Sequence, residues 1–168
     1  MFIVCRSRIE GATKKQMKTK TSGQVEYQIQ VALAKYLQYQ WPDVQFRSDL
    51  GGIRLTIGQA VKANKTQKGR AWPDMFIAES CGGWHGLYLE IKKDRDEIYL
   101  KSGELSKNKH VQEQKEMLDI LCKKGYLAMF VCGFDEAGAI VCSYLSGELK
   151  VKPTPEVLKQ LAELIRRS

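Results

Sequence analysis

The chain has 168 residues, 43% of them hydrophobic and 27% charged, which suits one compact soluble domain with a real core. Lysine and arginine number 27 against 19 acids, a net charge of +8 that points to a polyanionic partner, most often nucleic acid. No apolar run approaches the length of a membrane span, and "MFIVCRSRIEG" at the start is too short for a secretory signal, so membrane insertion and export are not expected. Five cysteines (Cys5, Cys81, Cys122, Cys132, Cys142) without a CxxC pair fit a reducing, cytoplasmic setting and exclude a disulfide framework or zinc site. Cys132 and Cys142, inside apolar runs, read as small buried hydrophobes. With His85 and His110 the only histidines, a His-rich metal site is excluded as well.

Residues 1–21 read as a short extended piece and a basic arm, with Arg6, Arg8, Lys14, Lys15, Lys18 and Lys20 against Glu10. Ser22 is the expected N-cap of a helix over 23–40, whose apolar stripe is Val25, Ile29, Ala32, Leu33, Tyr36 and Leu37. "WPD" ends it, because the residue before a proline is steered away from the helical region. "VQFRSDL" (44–50) alternates like a strand, and "GG" then opens a long loop or short helical turn to about residue 70. That segment holds Lys62, Lys65, Lys68 and Arg70 with no acid between 50 and 73, a pattern suited to phosphate contact.

"DMFIAE" (74–79) is the next strand, "CGG" a turn, and 84–93 a further strand. Residues 94–107 are polar and loop-like, and a helix over 108–124 is closed by Gly125. "YLAMFVC" (126–132) is a buried strand and 134–145 a helix; 155–167 have helical composition and are expected to append to the same domain. Helix, three strands, helix, strand, helix describes a strand meander plus a crossover, hence a mixed sheet flanked by helices, an α/β fold.

Chemistry concentrates in "YLEIKK" (88–93). Side chains alternate along a strand, so Tyr88, Glu90 and Lys92 share one face and Leu87, Leu89 and Ile91 the other. Alone, Glu90 and Lys92 read as an ion pair on a half-exposed strand, and Asp74 after Trp72-Pro73 reads as turn chemistry. If the two strands form a hairpin, Asp74, Glu90 and Lys92 converge at one edge of the sheet. Two hard carboxylates suit Mg²⁺, which keeps several waters and takes one or two protein carboxylates, and a neighbouring lysine can act on a water or a phosphate.

"WPDMFI", then "EIK" separated from Asp74 by fifteen residues, then "HVQEQKEMLDILCKKGY" and "GYLAMFVCGFDEA" resemble the PD-(D/E)XK nuclease superfamily, and within it the VRR-NUC family, over about residues 22–145. The resemblance implies a restriction-endonuclease-like α-β-β-β-α-β core over residues 22–150. It implies a Mg²⁺-dependent DNA endonuclease, with Mn²⁺ substituting, that leaves a 5′-phosphate and a 3′-hydroxyl. It also assigns roles: Asp74, Glu90 and the Ile91 carbonyl hold metal, Lys92 acts on the water, and Glu26, from an E-x-x-x-Q pattern with Gln30, is a further site acid. Without the resemblance Glu26 and Gln30 read as solvated helix residues. Gln112 and Gln114 are both candidates for the glutamine that the family places on the following helix. Gln114 interrupts the apolar stripe and is the one expected in the site. Arg70 is expected on a phosphate, with Lys62, Lys65, Lys68, Lys14 and Lys15 as further DNA contacts. Small standalone members resemble resolvases of four-way (Holliday) junctions acting as homodimers; a restriction or homing-type enzyme and a silent DNA-binding module are the alternatives.

Overall fold

The computed structural model describes residues 22–49, 56–69 and 71–149. The expected basic arm with Lys14 and Lys15, Arg70, and the C-terminal helix lie outside the described residues.

Helix α1 (Ser22–Gln40) starts at Ser22 itself rather than after it, and ends where Trp41-Pro42 begins. Strand β1 (Phe46–Ser48) follows, then helix α2 (Ile57–Thr66), strand β2 (Met75–Ile77) and strand β3 (Leu87–Lys92). A single 3₁₀ turn (Arg95–Glu97) precedes helix α3 (Lys109–Lys123), strand β4 (Leu127–Cys132) and helix α4 (Gly133–Leu145). The sheet order is β1-β2-β3-β4, with antiparallel pairing along the meander and parallel pairing of β3 with β4 across α3. The α/β, mixed-sheet architecture is therefore the one expected.

The two faces of the sheet are covered differently. Met75, Ile77, Leu87, Leu89, Ile91, Leu127, Met129 and Val131 form one face and pack on Leu33 and Leu37 of α1 and on Ala137, Ile140, Val141 and Tyr144 of α4. Each fully buried leucine or isoleucine here contributes about 1.5–3 kcal/mol of transfer free energy. On the opposite face Ala128, Tyr88, Tyr126 and Phe130 meet Leu118 and Leu121 of α3. Gly125, at φ 87°, makes the turn from α3 into β4, and a Cβ there would lie 2.8 Å from the His85 ring.

Three local expectations change. In place of the expected long loop or short helical turn before residue 70, a full helix of 10 residues forms: Thr56 and Gln59 make a capping box that starts α2, so Lys62 and Lys65 stand on it. In α1 it is Gln30, 2% exposed, that joins Leu33 and Leu37 inside, while Ala32 faces out. Cys142 is exposed, because the buried face of α4 runs through Ala137, Ile140, Val141 and Tyr144 and turns residue 142 outward.

Candidate active site

The hairpin of β2 and β3 brings the expected acids together. Met75 pairs with Leu89, so one step further along the ladder Asp74 stands opposite Glu90 at the edge nearest the start of β2. Asp74 Oδ2 accepts a hydrogen bond from the Ile91 backbone N–H at 2.8 Å, which fixes the carboxylate across the hairpin. The Asp74 backbone carbonyl is held in turn by the Asp49 N–H at 2.7 Å and the Ser48 hydroxyl at 3.3 Å. Ser48 Oγ also donates to Gln30 Oε1 at 3.0 Å, so a buried amide of α1 anchors the end of β1 against which Asp74 rests.

Glu90 and Lys92 are not a half-exposed surface pair. Their residues are 2% and 7% exposed, and Lys92 Nζ donates to Glu90 Oε1 at 2.8 Å. Gln114, 5% exposed on α3, donates through Nε2 to the same Glu90 oxygen, while its own Oε1 is buried without a partner among the described residues. Gln112 instead reaches back to the Ser106 carbonyl at 2.6 Å. From α1, Glu26 Oε1 lies 3.9 Å from Lys92 Nζ, so neither member of the E-x-x-x-Q pair is simply solvated.

The electrostatics follow from the crowding of acids about one ammonium. Burial, then the charge of Asp74, pushes the Glu90 carboxyl up to about 8 against the pull of Lys92. Burial lifts Glu26 to about 7, with Lys92 opposing and a hydrogen bond and charge from Glu97 adding to the rise. Burial also raises Asp74, although the Ile91 N–H and Lys92 favour its charged form. Burial disfavours the Lys92 ammonium, but the charge and hydrogen bond of Glu90, with Glu26 and Asp74, outweigh it and hold Lys92 above its usual range. The site is thus short of positive charge.

Glu97 and Asp49 are acids that the motifs in the sequence do not single out; each acts electrostatically on a site carboxylate. The turn holding Glu97 is tied to α4 by an Arg95–Glu136 ion pair of 2.9 Å. Lys62, Lys65 and Lys68 are exposed, as are His85 and His110. Among the described residues no three acid, histidine or cysteine side chains close into a metal cage. The donors nonetheless suit a hard divalent ion that keeps much of its water. Asp74 and Glu90 are paired across the hairpin, Lys92 is the one ammonium set against them and Glu26, and Gln114, with its orphaned oxygen, rests on Glu90.

No protein-family model matches the sequence, and no curated protein matches it. A solved structure described as a "VRR_NUC domain protein" superposes on this chain with a TM-score of 0.54 at 22% identity, covering 73% of this chain and 89% of that one. The chain is therefore similar in fold to a VRR_NUC domain protein. Among the described residues no helix is long and apolar enough to cross a membrane.

Proposed function

We propose that this chain, with the fold of a VRR_NUC domain protein, is a Mg²⁺-dependent endonuclease that hydrolyses DNA backbone phosphodiesters, acting on branched substrates such as four-way junctions. The observation that carries this reading is the half-buried Asp74 set opposite the buried Glu90 and Lys92 at the hairpin edge, with Gln114 and Glu26 against them. Asp74 and Glu90 would hold the ion, with the Ile91 carbonyl and Glu26 as further oxygen donors; Mn²⁺ suits the same donors. Bound there, such an ion supplies Lewis acidity toward a phosphoryl oxygen and toward water.

The protein's own groups divide the rest of the chemistry. Lys92, held in place by Glu90 and kept charged by its acidic surroundings, would orient the water or stabilise the charge developing on the phosphoryl group. Gln114 fixes the Glu90 carboxylate and offers a free acceptor for a water. Net charge of +8 and the exposed Lys62, Lys65 and Lys68 favour a DNA backbone as the polyanion, with Arg70, Lys14 and Lys15 as further contacts outside the described residues. Cutting two strands at a junction takes two sites, and a symmetric homodimer supplies them.

A cleavage panel of four-way junction, flap, nicked and linear duplex, with Mg²⁺ and with EDTA, tests the reading. Junction cleavage in Mg²⁺ alone is expected. Cutting of linear duplex at one fixed sequence would favour a restriction-type enzyme, and hydrolysis of none of the four would overturn the proposal.

A further inference from the structure

From the acid site the same sheet face continues into aromatic rings. Two residues along from Asp74 and Glu90 stand Phe76 and Tyr88, paired in register and stacked with centroids 4.4 Å apart. Tyr126 meets Tyr88 edge-on at 5.2 Å, and Trp72 lies 6.2 Å from Tyr88 on the side of Asp74. Of this group Trp72 is the most open, 37% exposed, although its indole N–H is fixed by the Lys68 carbonyl at 2.9 Å. That bond ties the ring to the basic segment, where Lys62, Lys65 and Lys68 are exposed and no acid occurs between 50 and 73. A half-open aromatic row bordered by lysines and ending at the acids matches the chemistry of single-stranded nucleic acid: bases for the rings, phosphates for the ammonium groups. Paired bases inside a duplex have no free π-face to offer.

We propose that Trp72, backed by Tyr88 and Phe76, is a stacking platform for an unpaired base beside the scissile phosphate, so that the chain recognises DNA whose bases are unstacked at a branch. This deepens the nuclease reading and rests on it for its biological setting, but base stacking is measurable without cleavage. Lys62, Lys65 and Lys68 would hold the backbone of the same strand irrespective of sequence.

The test is equilibrium binding in EDTA to duplexes carrying a short unpaired thymidine flap or an otherwise identical abasic flap, for the wild type, Trp72→Phe and Trp72→Ala. The wild type should bind the thymidine flap about 10-fold more tightly, as one stacked base provides. Trp72→Phe should keep most of that preference and Trp72→Ala should lose it, with melting curves confirming the fold. Equal binding of both flaps by the wild type, or an unchanged preference in Trp72→Ala, would overturn the platform. Cleavage is scored separately in Mg²⁺. A preference retained by a protein that hydrolyses nothing would support the platform while removing the nuclease reading.

Discussion

Lys92 Nζ lies 2.8 Å from Glu90 Oε1 inside the protein, two residues along the same strand and on the same face. A buried ion pair is rarely a net source of stability, because desolvation of both charges offsets their attraction. Retaining it at the mouth of a crowded acid cluster suits a chemical role. Lys92→Met should lower the single-turnover cleavage rate by about 100-fold or more, as for a positioned acid–base or electrostatic group, while DNA affinity holds. Lys93, exposed and paired with Asp94 at 2.9 Å, is the control, and Lys93→Met should cleave like the wild type. Comparable rates in the two variants would return Lys92 to a structural ion pair.

The raised carboxyls predict how stability depends on pH. Glu90 titrates near 4.5 when unfolded and near 8 when folded, and Glu26 near 4.5 and near 7. Across that window the folded protein binds more protons than the unfolded chain, so without metal its stability should fall as pH rises from about 4.5 to about 8. On the proposed assignment Mg²⁺ would bind the ionised carboxylates, so it should raise the melting temperature more at pH 8 than at pH 5. A melting-temperature series in EDTA and in Mg²⁺ checks this; an increment independent of pH would count against the carboxylates as ligands.

The lysines of α2 and its C-terminal flank should act through phosphates. Replacing Lys62, Lys65 and Lys68 with alanine should weaken duplex binding and flatten the plot of log K against log salt, by about 0.9 for each phosphate that is no longer neutralised. An unchanged slope would assign these side chains to solubility alone.

Gln30 and Ser48 join α1 to the strand end that holds Asp74. Ser48→Ala leaves the buried Gln30 oxygen without its donor, at an expected cost of about 1–3 kcal/mol in urea unfolding. Its cleavage rate should fall as well, since the proposed role of Asp74 depends on its position to a fraction of an ångström. Stability and rate both unchanged would remove this link from the account.

Much of this is legible in the sequence, for identifiable reasons. The alternation of Leu87, Leu89 and Ile91 with Tyr88, Glu90 and Lys92 fixes which face each takes, and the turn-linked "DMFIAE" and "YLEIKK" strands form the expected hairpin. Gln114 is separable from Gln112 by its place in the apolar stripe, and it is the one beside Glu90. What escapes depends on tertiary contact. The burial of Gln30 is visible only once Ser48 is seen to reach it across 18 residues of chain. Glu97 sits in "DRDE", where nothing local separates it from Asp94 or Asp96, and only the docking of its turn brings it to Glu26. Helix α2 is different: its signal, "TIGQ", is present as a capping box but is outweighed by the polar, Gly- and Lys-containing composition around it.

Single-turnover cleavage of a labelled four-way junction in Mg²⁺ by the wild type, Asp74→Asn and Glu90→Gln tests the proposed metal site of Asp74 and Glu90 at its ligands. Both substitutions keep the shape of the side chain and remove its charge, so folding and DNA affinity, followed in parallel, should hold. Either variant should lose cleavage by about 100-fold or more. Wild-type rates in either variant would contradict the assignment.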